Sequence, residues 1–162
     1  MARVVNVVES GLYKIKDEYY VDFPHEKHIH IKNGRPFYYA VKGKQGIYWL
    51  IPLSSQIEKY RNKIRAIEAK RGKGNCLVYY IGVIAGKERV FRICDMIPIT
   101  EKYIAGEFVF NGTHYVVGAE KLIREVSIRS RNFIKQLELG RMHSQIGALE
   151  IAKILCETES HW

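Results

Sequence analysis

The strongest constraint on this chain is a strand that has to end where a helix has to begin. Tyr48-Trp49-Leu50-Ile51-Pro52-Leu53-Ser54-Ser55-Gln56-Ile57-Glu58 runs straight into Lys59-Tyr60-Arg61-Asn62-Lys63. An apolar strand therefore meets two adjacent hydroxyls at the start of a basic helix. Ser55-x-x-Glu58 has the form of a capping box, which predicts Ser55 as the N-cap. Free amides and the positive end of the helix dipole collect at such a start, so it suits a phosphate.

At 162 residues, with 47% apolar residues and no long Pro, Ser or Gly run, the chain is expected to form one domain over 1–162. Its 26 basic against 17 acidic residues give a net charge of +9. That excess favours a polyanionic partner over an acidic small substrate, with nucleic acid first. The eleven tyrosines are suited to stacking on unpaired bases. Cys76, Cys94 and Cys156 lie far apart with no zinc-knuckle spacing, which predicts reduced, structural thiols in a cytoplasmic protein. Met1–Asn6 is too short an apolar run for a signal peptide, and no stretch of 18 apolar residues exists, so secretion and membrane insertion are not expected.

Residues 1–117 read mainly as β structure and 118–160 as a helical extension. Candidate strands are Val4–Val8, Tyr19–Phe23, Phe37–Lys42, Ile47–Leu53, Cys76–Ala85 and Glu88–Cys94. Residues 43–46 and 85–87 suit hairpin connections, and Asn111-Gly112 between two short apolar runs is a strong hairpin signal. Short antiparallel strands with tight turns predict a small barrel. A first amphipathic helix carries Ile57, Tyr60, Ile64 and Ile67 and ends at the basic loop Arg71–Asn75. Ala119, Leu122, Ile123, Val126, Phe133, Ile134 and Leu137 fall on one helical stripe, with Lys121, Arg124, Arg131 and Lys135 opposite. Gly140 is a plausible stop, and Ser144 a cap for a last helix reaching about Glu157.

Metal-free RNA cleavage needs an acceptor for the 2′-hydroxyl proton, donors for the phosphorane charge and an acid for the leaving 5′-oxygen. In a simple hairpin, Arg35 before one strand falls near Ser54 and Ser55 after the next. Capping alone is an equal reading for Ser55. His28 and His30 share a strand face, but no carboxylate or cysteine completes a metal set, so RNA contact is preferred over a metal. Asp95 suits either an acid or, more commonly, a turn aspartate. Together with Lys32, Tyr39, Lys42, Tyr60 and Lys63, the two histidines and the basic residues Lys121, Arg124, Arg131 and Lys135 make up the candidate RNA contacts.

The ordered segments Arg35-Pro36-Phe37-Tyr38-Tyr39-Ala40-Val41, Tyr48–Ser55 and Asp95-Met96-Ile97-Pro98-Ile99 resemble the ToxN/AbiQ/CptN toxins of type III toxin–antitoxin systems. The resemblance implies an α+β fold: a small antiparallel SH3-like barrel of the MazF and Kid toxin type with added helices. It also implies a metal-independent, cofactor-free endoribonuclease leaving 2′,3′-cyclic phosphate and 5′-hydroxyl ends. The implied partners are cellular mRNA as substrate and a small repeat RNA as antitoxin, which the toxin processes and which wraps several toxin copies. Arg35, Ser54 and Ser55 match the family's functional positions. Where the family often has Lys two residues after the second hydroxyl, this chain has Ile57, and Lys59 is the nearest substitute. RNA binding without cleavage, and a MazF-like ribonuclease with a protein antitoxin, are the alternatives.

Overall fold

Pro36 and Gly43 bracket a six-residue aromatic and β-branched run, and the run is a strand over its whole length. In the computed structural model, which describes residues 7–24 and 35–159, the elements in chain order begin with β1 (Leu12–Ile15), α1 (Asp17–Asp22), β2 (Phe37–Lys42) and β3 (Tyr48–Ser54). They continue with α2 (Ile57–Arg71), β4 (Tyr79–Ile84), β5 (Lys87–Arg92), β6 (Ile97–Ile99) and β7 (Ile104–Glu107). The small hairpin β8 (Val109–Phe110) and β9 (Thr113–His114) precedes α3 (Glu120–Glu138) and α4 (Ala148–Glu159). The fold is α+β, with a seven-stranded antiparallel sheet in the order β4-β5-β3-β2-β1-β7, β6 lying also on β3.

β3 organises this sheet. One edge carries β2, and the other carries two successive strands: β6 opposite Tyr48–Leu50, then β5 opposite Leu53 and Ser54. A 3-10 turn, Ile93–Asp95, makes the corner between them. A second, Glu101–Tyr103, carries the chain from β6 on β3 to β7 on β1. A flat sheet would hold β6 and β7 about 19 Å apart across four strand spacings. The residues between Ile99 and Ile104, most of them in the tight 3-10 turn, span only about 13 Å. The sheet therefore curls.

One apolar core runs through the curl, from Leu12 and Tyr13 to Ile151 and Leu155. α3 buries Leu122, Val126, Ser130, Phe133 and Leu137, the stripe its 3.6-residue period predicts. Gly82 is what lets α3 approach β4, since a Cβ there would stand 2.5 Å from Leu122 Cδ1. Ser130 breaks the apolar stripe: its hydroxyl is fully buried and among the described residues has no hydrogen-bond partner. Ser130→Ala removes that orphan and improves helix propensity, so it is expected to stabilise the protein by about 1 kcal/mol in urea melts. A loss of stability would mean the hydroxyl is bonded after all.

Three local expectations are corrected. Tyr19–Phe23 is not a strand: Tyr19–Asp22 is the greater part of α1 and Phe23 its C-cap, because Tyr19 and Phe23, four residues apart, both pack edge-on against Tyr103 from one side. The Tyr19 hydroxyl also donates to the Pro98 carbonyl at 3.1 Å. Ser55 does not cap α2. The N-cap is Gln56, with no side-chain cap, and Glu58 turns forward to Arg61 instead of back. Ser144 Oγ does accept the first amide of α4, from Ala148 at 3.1 Å, but the helix starts four residues after it. Of Val4–Val8, only Val7 and Val8 are described and neither is in a strand. β1, β6 and most of β7 went unread in the sequence.

Candidate functional site

The end of β3 is where the chemistry collects. Ser54 is opposite Val90 of β5 and almost wholly buried, at 4% exposure. Its Oγ accepts the Gln56 amide at 3.2 Å, which leaves its own O–H free to donate. Ser55 is exposed, and its carbonyl accepts the Ile57 amide at 2.9 Å. On the other side of β3, Phe37 is opposite Pro52. Continuing that register two residues past the strand sets Arg35, half-buried, across from Ser54. The hairpin geometry expected from the sequence thus brings Arg35 and Ser54 to one strand end.

Directly paired residues share a face, so Ser54, Val90 and the pair Tyr79↔Arg92 all lie under α2. α2 rests there on Tyr60, its one buried residue. The Tyr60 ring packs on Tyr79 at 4.9 Å between centroids and is ringed by three cations: Lys59 at 5.6 Å, Lys63 at 5.2 Å and Arg92 at 5.7 Å. Lys59, in the first helical turn, is therefore held beside this ring with its side chain exposed. Burial raises the Tyr60 hydroxyl's pKa, with Arg92 opposing, so it stays protonated.

Arg92 is the residue no sequence pattern marks, and its partner is Asp95, which the sequence leaves as either an acid or a turn aspartate. Their side chains form a 2.6 Å ion pair, 19% and 16% exposed, across the 3-10 corner. Asp95 is thereby committed to Arg92 and is not a free acid. Cys94 beside it is pushed up to about 12 by burial and by the Asp95 carboxylate, which keeps it a neutral thiol and no nucleophile. Tyr79, next to Cys94, is raised too, chiefly by burial. Among the described residues no group of three or more His, Cys, Asp or Glu is arranged to hold a metal ion, and no helix is long and apolar enough to cross a membrane.

The remaining candidates scatter. Tyr39 is buried and packs edge-on against Tyr48, so its ring offers no face to a base. Lys42 is exposed at the far end of β2 from Arg35. Lys121, Arg124, Arg131 and Lys135 are all exposed on α3. That helix packs on the opposite face of β4: Tyr79 meets Tyr60 of α2, whereas its neighbour Tyr80 lies under Arg129 of α3 at 4.8 Å. The basic stripe of α3 and the Ser54 end thus belong to different sides of the sheet. His28, His30 and Lys32 lie outside the described residues. Comparison of the sequence with protein-family models and with curated proteins finds no match.

Proposed function

We propose that this chain is a metal-independent endoribonuclease, the toxin of a type III toxin–antitoxin pair, cutting mRNA and held in check by a small repeat RNA that it processes. The reading rests on one juxtaposition. Arg35 and Ser54 face each other in the continued β2–β3 register, at the strand end where α2 begins and carries Lys59 in its first turn. A phosphodiester there meets a guanidinium, a hydroxyl donor, an ammonium and the first-turn amides of Glu58 and Lys59, which have no acceptor within the helix. Attack by the adjacent 2′-oxygen expels the 5′-oxygen and closes a 2′,3′-cyclic phosphate, and these donors bear the charge that builds on the phosphorane.

The same proposal makes the curled sheet an SH3-like barrel of the MazF and Kid type. Its support is the link between β6 and β7, consecutive strands on opposite edges of the β3-β2-β1 segment joined by one 3-10 turn. A second reading, RNA binding without cleavage, draws on the burial of Ser54. One assay separates them: purified protein with a mixed-sequence RNA in EDTA, and with the same RNA carrying 2′-deoxy sugars at the cut positions. Discrete cuts with cyclic phosphate ends, lost on 2′-deoxy substitution, are expected. Tight binding with no new ends would favour the second reading.

A further inference from the structure

Among the described residues β4 is an edge strand of the main sheet with no strand beyond it. Its sequence, Tyr79-Tyr80-Ile81-Gly82-Val83-Ile84, carries no charge and no proline, the usual devices against edge pairing. It joins β5 through Ala85-Gly86, both with positive φ, a two-residue turn of the primed type. In such a hairpin the closing pair Ile84↔Lys87 is hydrogen-bonded, as are the alternate pairs Gly82↔Arg89 and Tyr80↔Phe91. The backbone N–H and C=O groups of Tyr79, Ile81 and Val83 therefore point outward, and among the described residues no backbone group pairs with them. Val83 is 57% exposed.

Along this edge lies a cavity of 320 Å³, walled by Arg61 and Arg65 of α2 on one side and Arg129 of α3 on the other, with Glu68 the one acid in its lining. The Glu68 carboxylate is occupied by the Gly74 amide. Lys63 adds a further cation 5.9 Å from the Tyr79 ring. Arg61 is paired with Glu88 and Arg129 with Glu125, but among the described residues Arg65 has no ion-pair partner. Arg129 is spent on Glu125 and on the Cys76 and Gly74 carbonyls, so the groove offers a strand template beside one cationic wall, that of α2, with Arg65 its free charge.

We propose that this groove docks an extended, acidic segment of another protein, which adds to the sheet as a strand beside β4. Alternating outward N–H and C=O groups call for a partner that alternates donors and acceptors, as a peptide backbone does. A nucleic-acid backbone brings mainly acceptor phosphates, which the outward carbonyls of Tyr79, Ile81 and Val83 repel. A second copy of this chain paired edge to edge would bring two sets of Arg61 and Arg65 together. An acidic strand satisfies both the edge and the α2 wall. The groove shares Tyr79 and Lys63 with the Tyr60 cluster, but the proposal does not rest on the RNA-cleaving reading.

The test uses the full chain and a labelled, blocked decapeptide of alternating Glu and Val, read by fluorescence anisotropy. Saturable binding is expected. It should weaken at least about tenfold with Arg65→Glu, with N-methylation of alternate peptide residues, and with Val83→Pro, which removes one outward N–H and no bond to β5. Should Val83→Pro fail to fold, the N-methylated peptide and Arg65→Glu decide alone. Absence of saturable binding overturns the proposal, as does binding indifferent to N-methylation. A ten-nucleotide oligo(U) that binds in a manner sensitive to Arg65→Glu but not to Val83→Pro, with no peptide binding, would assign the groove to nucleic acid. Self-association of the free chain abolished by Val83→Pro would assign it to a second copy.

Discussion

Ser54→Ala is expected to slow RNA cleavage by about 100-fold or more while leaving a folded protein, the loss seen when one donor to a developing oxyanion is removed. Ser54 stands at the one place where β2, β3, β5 and the start of α2 converge, across from Arg35 in the continued register. Its Oγ already accepts from the Gln56 amide, so its remaining function toward a substrate is to donate. Alanine removes that proton and leaves the Arg35 guanidinium and Lys59 in place. The structural cost is one local turn bond, about 1 kcal/mol, too small to unfold the chain. Single-turnover cleavage alongside a urea melt separates the two effects. A Ser54→Ala protein that cuts within about twofold of wild type would remove Ser54 from the proposed site.

Phe91→Ala is expected to cost about 3–5 kcal/mol of folding stability, a large fraction of what a domain has. Phe91 is fully buried at the centre of the curl, opposite Leu53 on β3 and Tyr80 on β4, with its ring edge-on to Tyr38 at 5.2 Å. All these neighbours are fixed to hydrogen-bonded strands, so they cannot close over the void. The urea midpoint should fall with an unchanged slope, since the area exposed on unfolding hardly alters. A change under about 1 kcal/mol would mean that the core collapses around the gap and that β3 and β5 are less rigidly joined than their pairing implies.

The elements that could be read in advance are those whose signal is local. β2 is bounded by Pro36 and Gly43, and α3 repeats its apolar residues at the helical period. The Asn111-Gly112 turn has φ of 53° and 79°, the conformation its residue types favour. That Arg35 comes to the Ser54-Ser55 end follows from counting residues through one hairpin, but that it stands across from Ser54 and not Ser55 is set by the register shift between Tyr39 and Val41. α1 was misread because Tyr19-Tyr20-Val21-Asp22-Phe23 satisfies both periods in so short a span, and only Tyr103, some eighty residues later, selects the helical face. The capping box at Ser55 failed for a comparable reason: the helix starts one residue later, with Gln56 as its N-cap, and Glu58 pairs with Arg61.

From the sequence alone came a basic chain with a strand-rich front, a helical back and a hydroxyl pair at a strand-to-helix junction, because charge, period and turn chemistry act over a few residues. Tertiary structure alone decided that Arg92 and Tyr79 from two later strands complete the surroundings of Tyr60, that Asp95 is spent on an ion pair, that the basic stripe of α3 faces away from Ser54, and that β4 is left as an open edge. Each of these depends on which strand lies beside which, and pairing between distant strands is set by how the whole apolar surface closes on itself.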